Sequence, residues 1–141
     1  MRYILTILIS LLVTACCDDS ASFYINGSNH TLTLLREQKY FWKDQATLSL
    51  IVARLPECQR RHTLTLAPAS TVNIDVFTNG DGTWTLRSDK AIWEAGTQTC
   101  TLIQATPKAE LGERVGTFKV QKGKLVFEPA GANGAVSAFR P

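Results

Sequence analysis

Polar and apolar residues alternate one by one along several short segments of this 141-residue chain, and this alternation restricts its fold more than any other feature. In the segment 72–76, for example, every second residue is apolar. Successive side chains of a β-strand point to opposite faces, so a period of two predicts a strand with one buried face. The segment 61–67 repeats the pattern and is expected to place on one face His62, Leu64 and Leu66.

Turn signals separate these segments. Asn26-Gly27, Asn79-Gly80-Asp81-Gly82 and Lys122-Gly123 each stand between two predicted strands, where such residues favour tight hairpins. The chain is long enough for one domain with a real core. We therefore expect an all-β fold, a single small antiparallel β-sandwich or barrel of about eight to ten short strands.

The N-terminus has the organisation of a secretory signal. Arg2 precedes a mostly apolar run over residues 4–13, and small residues then lead to Cys16. The apolar run is about half of the roughly 20 residues that a membrane-spanning helix needs.

The four residues Val13-Thr14-Ala15-Cys16 resemble the lipobox of bacterial lipoproteins, and the chain is similar to the short envelope lipoproteins of Gram-negative bacteria. The resemblance implies that residues 1–15 are removed and that Cys16 carries lipid, including palmitate-type acyl chains. The alternative is ordinary cleavage after Ala15. Cys17 occupies the position where an aspartate favours inner-membrane retention, so the resemblance implies the outer membrane, facing the periplasm.

This organisation divides the chain into four parts. Residues 1–15 are the predicted signal peptide, and residues 16–22 are a short polar tether from the lipid to the fold. Residues 23–128 are the β domain, and residues 129–141 are an Ala- and Gly-rich tail.

Cys58 and Cys100 are the two cysteines within the predicted domain. In an oxidising compartment such a pair usually forms a disulfide, and we predict that bridge here. The alternative is a catalytic thiol at Cys58 with His62 as its base. Cys17 is then left without a predicted partner.

The segment around Cys58 is the best candidate for partner binding. Arg54, Arg60, Arg61 and His62 follow one another closely, and an arginine can bind a carboxylate or phosphate through two hydrogen bonds. The alternative is a solvated loop with local ion pairs.

Two further groups are open to more than one interpretation. The aromatic residues of the first group belong to the core or form a binding platform; they are Tyr40, Phe41, Trp42, Trp84 and Trp93. The acids of the second group form a hydrolytic site only if the fold brings them together; they are Asp75, Asp89 and Glu94.

The composition and motifs narrow the expected function. A net charge of +3, reduced to +2 when Arg2 is removed, gives no case for nucleic acid. No zinc-binding or EF-hand motif and no nucleotide or catalytic motif is present, so we expect no metal and no cofactor. We expect a non-catalytic, membrane-anchored envelope module that binds a protein, a glycan or an anionic ligand. The alternative is a small hydrolase or transferase with a carboxylate-based site.

Overall fold

The computed structural model describes residues 17–40, 42–106 and 111–131. These residues form ten β-strands and no helix. The strands are β1 (Cys17–Asn26), β2 (His30–Gln38), β3 (Ala46–Arg54), β4 (Cys58–Ala67), β5 (Asn73–Thr78), β6 (Thr83–Arg87), β7 (Ile92–Gly96), β8 (Thr101–Ala105), β9 (Glu113–Gln121) and β10 (Lys124–Pro129).

The strands form two antiparallel sheets. The first has the order β1-β2-β3-β4, and the second has the order β10-β9-β5-β6-β7-β8. Neither sheet closes on itself, so the fold is a sandwich and not a barrel. The predicted all-β class and strand number are confirmed.

The core fills the space between the two sheets, and alternate residues of the inner strands supply it. Leu32, Leu34 and Leu50 come from the first sheet and Ile74, Val76 and Phe118 from the second, and each is at most 1 % exposed. The alternation predicted for residues 72–76 is confirmed, because Val72, Ile74 and Val76 all belong to the core.

The polar segment expected as a tether is the first half of a strand. Residues 17–22 belong to β1 and pair with β2 along the register from Cys17 opposite Gln38 to Ser22 opposite Thr33. The prediction of a tether was therefore wrong for these residues. The polarity that suggested it has a structural reason, which is an ion pair between the half-buried Asp19 and the buried Arg36.

Arg36 is the centre of that contact. It donates to Asp19 from Nε at 2.8 Å and from Nη2 at 2.7 Å, and its side chain is only 10 % exposed. Its remaining hydrogen bonds reach the carbonyl oxygens of Ala69 at 2.6 Å and Gly123 at 3.0 Å. The backbone N–H of Leu125 donates to Asp19 at 2.8 Å. One ion pair therefore joins β1 and β2 to the loops of both sheets.

The alternation predicted for residues 61–67 was wrong in its second half. The register shifts between Leu48 and Ser49 of β3, so that Leu64 of β4 is an extra residue in a β-bulge. Thr65 then lies opposite Leu48, and Leu66 moves to the outer face, where it is 60 % exposed. A bulge changes which face each later residue occupies, and period-two patterns carry no signal for it.

Because successive strands are antiparallel, alternate turns lie at the same end of the sandwich. We call the end at which β1 begins the proximal end, and the opposite end the distal end. The proximal end consists of the connections 39–45, 68–72, 88–91 and 122–123. The predicted lipobox and most of the predicted tail, residues 132–141, lie outside the described residues.

Candidate interaction surfaces

The predicted disulfide is confirmed, and it holds the edge of one sheet to the other. Cys58, the first residue of β4, is bonded to Cys100 in the turn before β8, with 6.0 Å between their Cα atoms. His62 adds a second contact across the same gap, because its Nε2 lies 2.8 Å from the carbonyl oxygen of Cys100. His62 is therefore oriented by the turn that carries the disulfide.

The two adjacent arginines of β4 point to opposite faces of the strand. Arg61 lies opposite Ile51 on the outer face and forms an ion pair with Glu37 of β2. The register places Glu37 opposite Thr47, so this ion pair crosses β3 at the level of Ser49, which is fully buried. Arg60 lies opposite Val52 and is exposed at the edge of the sheet.

Arg54 ends β3 at the distal end. It is exposed, and it lies opposite both His30 of β2 and Cys58 of β4. Burial, and in second place the positive charge of Arg54, lower the pKa of His30. Of the four predicted partner-binding residues, His62 is half-buried and bonded to the turn at Cys100, Arg61 is exposed but paired with Glu37, and Arg54 and Arg60 are exposed.

The three acids considered for a hydrolytic site do not share one cavity. Asp75 lies on the outer face of the second sheet, where it pairs with Arg87 at 3.1 Å and lies 3.8 Å from Arg114. It also accepts a hydrogen bond of 2.6 Å from the hydroxyl of Thr117. Arg87 in turn lies over the ring of Phe77, 5.0 Å from its centroid. Asp75 is therefore the centre of a structural ion-pair network.

A small cleft of about 190 Å³ opens between the end of β4 and the turn 88–91. Its floor is apolar and includes Leu48, Val72 and Trp93, and Asp89 and Lys90 stand among its polar lining. Neither Asp75 nor Glu94 contributes to it. The register places Glu94 on β7 and Asp75 on β5, with β6 between them.

The aromatic residues divide between the core and the surface. Trp93 is 5 % exposed, and Trp84 packs edge-on against Phe23 with 5.3 Å between ring centroids. Trp42 is 65 % and Tyr40 38 % exposed, in the connection between β2 and β3. The core interpretation is therefore correct for Trp84 and Trp93 and wrong for Tyr40 and Trp42, while Phe41 lies outside the described residues.

The proximal end carries a surface that the sequence analysis missed. Five of the six lysines that the structure describes are exposed at or next to its turns: Lys39, Lys43, Lys90, Lys122 and Lys124. The sixth, Lys119, pairs with Glu128 on the outer face of the second sheet. The signal was present in the sequence, because an antiparallel order puts every second turn at one end.

The chain was compared with known proteins in three ways. Searches with family models, with curated proteins and with solved structures find no match. Within residues 17–40, 42–106 and 111–131, no group of three or more His, Cys, Asp or Glu side chains is arranged to hold a metal ion. The same residues include no helix of the length and hydropathy needed to cross a membrane.

Proposed function

We propose that this protein is an envelope lipoprotein, anchored by lipid on Cys16, whose β-sandwich is a non-catalytic binding module. The observation that carries the proposal is that the first strand begins directly after the lipobox-like segment. β1 begins at Cys17, the residue directly after the proposed lipid attachment site, and Asp19 is already fixed by Arg36. A chain of this design presents a rigid domain directly at the membrane surface.

The disulfide supports an extracytoplasmic location. Structural disulfides persist in oxidising compartments such as the bacterial periplasm and are rare in the cytosol. The bond between Cys58 and Cys100 joins the two sheets at the distal end and lies among buried residues, with Cys100 fully buried. An exported protein is the context in which such a bond contributes to stability.

A binding role is favoured over catalysis because the described charged groups mostly hold the fold together. Asp75 with Arg87, Asp19 with Arg36, and Glu37 with Arg61 are ion pairs that link different strands. The exposed Arg54 and Arg60 remain as candidates for contact with an envelope protein, a glycan or another anionic ligand. Both lie near the disulfide, which fixes the backbone that carries them.

Lipid attachment is tested by replacing each cysteine of the N-terminal pair in turn. Cys16→Ser is expected to abolish incorporation of a fatty-acid probe and release the protein from the membrane fraction. Cys17→Ser is the matched control and is expected to keep both. Label that persists in Cys16→Ser, or that is lost in Cys17→Ser alone, would contradict anchoring at Cys16.

Partner binding is tested by chemical crosslinking in intact envelopes followed by mass spectrometry. Arg60→Ala is expected to reduce the crosslinked species about tenfold, the effect of losing one charge-assisted contact. Arg87→Ala is the control, because Arg87 is also exposed but is paired with Asp75 on the other sheet. Identical crosslinked species in Arg60→Ala and the unmodified protein would contradict a role for this arginine.

A further inference from the structure

The charges of the sandwich are divided between its two ends. At the proximal end, five exposed lysines face three exposed aspartates, which are Asp18, Asp44 and Asp89. At the distal end, the turns and strand ends carry the acids Glu57, Asp81 and Glu113 and the cations Arg54 and Arg114, among the described residues. The proximal end is therefore positive and the distal end negative.

An aromatic pair lies beside two of these lysines. The rings of Tyr40 and Trp42 lie 5.0 Å apart, and Trp42 is the most exposed of the large hydrophobic residues described. The ammonium groups of Lys39 and Lys43 lie 5.4 and 5.3 Å from the centroid of the Tyr40 ring. An exposed tryptophan and tyrosine flanked by lysines is a combination that suits the boundary between lipid headgroups and acyl chains.

Hydrogen bonds hold three of the four connections of the proximal end in place, namely 39–45, 68–72 and 122–123. Asp44 accepts hydrogen bonds from the backbone N–H and the hydroxyl of Ser70, at 2.8 and 2.6 Å. Gln38 donates to the carbonyl oxygen of Lys43 at 2.7 Å, and Arg36 holds the loop at Ala69 and the turn at Gly123. Lys39, Lys43, Lys122 and Lys124 therefore lie on or next to connections that these hydrogen bonds hold in place.

This surface also adjoins the first residue of β1. Cys17 pairs with Gln38, immediately before the connection that carries the aromatic pair. A lipid on the preceding residue leaves a separation of one residue, about 3.5 Å of chain, between the anchor and the sandwich. The proximal end must then face the bilayer.

We propose that the proximal end is a membrane-docking surface, which inserts Trp42 and Tyr40 at the headgroup level and binds anionic phospholipid headgroups through its lysines. The proposal rests on the proposed anchoring at Cys16. One inserted lipid anchor combined with a basic surface gives more stable attachment than either alone. Each lysine near an anionic surface contributes roughly a fivefold factor to binding. The distal end, with Arg54 and the disulfide, then points away from the membrane.

The test uses the purified, full mature protein in vesicles of phosphatidylcholine with phosphatidylglycerol. Part of the phosphatidylcholine carries bromine near the headgroup, which quenches tryptophan emission at short range. The lipid quencher is expected to remove the emission of Trp42 and to spare Trp84 and Trp93, which are packed in the sandwich. Trp42→Phe is therefore expected to abolish most of the quenching.

Charge is tested separately from insertion. The double variant Lys39→Gln with Lys43→Gln is expected to weaken docking at least tenfold. Docking is measured as the fraction of Trp42 emission that is quenched, at increasing salt concentrations, because salt screens the attraction between lysines and headgroups. Arg114→Gln is the matched control, because Arg114 is an exposed cation at the distal end, and it is expected to leave the quenching unchanged. Vesicles of phosphatidylcholine alone are expected to give the low quenching of the lysine variant.

Acylation of the N-terminal peptide is measured by mass spectrometry on the same sample, so that anchoring and docking are scored independently. Unquenched Trp42 in acylated protein would overturn the docking surface and leave the anchoring proposal standing. A chain found without acyl groups would contradict the anchoring proposal, and it is then added to preformed vesicles of the same two compositions. Absence of quenching in anionic vesicles overturns docking in that case also.

Discussion

The buried Arg36 of β2 donates two hydrogen bonds to the half-buried Asp19 of β1, from Nε at 2.8 Å and from Nη2 at 2.7 Å. Because the same guanidinium also satisfies two backbone carbonyls, removal of its side chain leaves several buried groups without a partner. We expect Arg36→Met to lower the free energy of unfolding by about 3 kcal/mol.

Chemical denaturation measures this effect directly. Arg61→Met is the comparison, because Arg61 pairs with Glu37 on the exposed outer face and such a pair is worth about 1 kcal/mol or less. Asp19→Asn combined with Arg36→Met is expected to cost less than the sum of the two single changes. Equal losses for Arg36→Met and Arg61→Met would contradict a special role for the buried pair.

Loss of the disulfide should destabilise the domain substantially. The bond closes a long loop, since its cysteines are separated by 42 positions. Constraint of the unfolded chain by a loop of this length predicts a loss of about 4 kcal/mol in Cys58→Ser with Cys100→Ser. Thermal unfolding with and without a reductant checks the value. A melting temperature unchanged by reduction would mean that the bridge does not constrain the unfolded chain.

Stability should fall as the pH is lowered from neutral. Burial and the nearby Arg54 lower the pKa of His30 from its usual 6.5, and its buried Nε2 makes no hydrogen bond to any described residue. The unfolded chain therefore takes up the proton first, and the folded state loses stability as the pH falls through about 6.5.

The melting temperature measured between pH 8 and about pH 5 tests this expectation. His30→Gln is expected to flatten the profile, because glutamine does not titrate. Arg54→Gln should reduce the slope only in part, since the larger cause of the shift is burial. A slope that is the same in His30→Gln and in the unmodified protein would exclude His30 as its source.

Gly116 allows β9 to approach β10 closely. A Cβ at this position would lie 2.2 Å from Cζ of Phe127 and 2.7 Å from the carbonyl oxygen of Glu128. Phe127 packs between Phe23 and Phe118, so its ring has little room to move. We expect Gly116→Ala to cost about 1–3 kcal/mol, the usual range for overpacking.

The matched control for this change is Gly96→Ala. Its Cβ would meet only the side-chain oxygen of Thr101, at 2.9 Å, and this hydroxyl can turn away. Urea unfolding of the two variants compares the costs. A Gly96→Ala variant as unstable as Gly116→Ala would show that the aromatic contact does not explain the requirement for glycine.

The sequence predicts the class of fold well because alternation reflects a local geometry. Each strand with one buried face carries its own pattern, as residues 72–76 do. The disulfide was predicted from two cysteines within the domain and the expectation of an oxidising compartment. The bulge at Leu64 was not predictable in this way, because it is set by the register with β3 and not by the residue itself.

The candidate site was harder to predict because it depends on neighbours that are distant in the sequence. Arg60 and Arg61 are adjacent in the chain, yet the strand sends them to opposite faces, and Glu37 engages only one of them. The polarity of residues 18–22 suggested a linker, because no neighbouring residue in the sequence indicates that Asp19 pairs with Arg36. The lysines of the proximal end are spread over 86 positions, from Lys39 to Lys124, and only the topology brings them together.

The hydrogen bond from the backbone N–H of Leu125 to the carboxylate of Asp19 has a consequence for the order of folding. These residues are 106 positions apart, so the carboxylate of Asp19 receives the hydrogen bond from Leu125 only when the final hairpin, β9 and β10, has formed. Contacts of such long range make folding slow, because the closing of a long loop precedes any gain from the contact. The first strand should thus be among the last to gain full protection from hydrogen exchange, and a chain that ends before β10 should leave it unprotected.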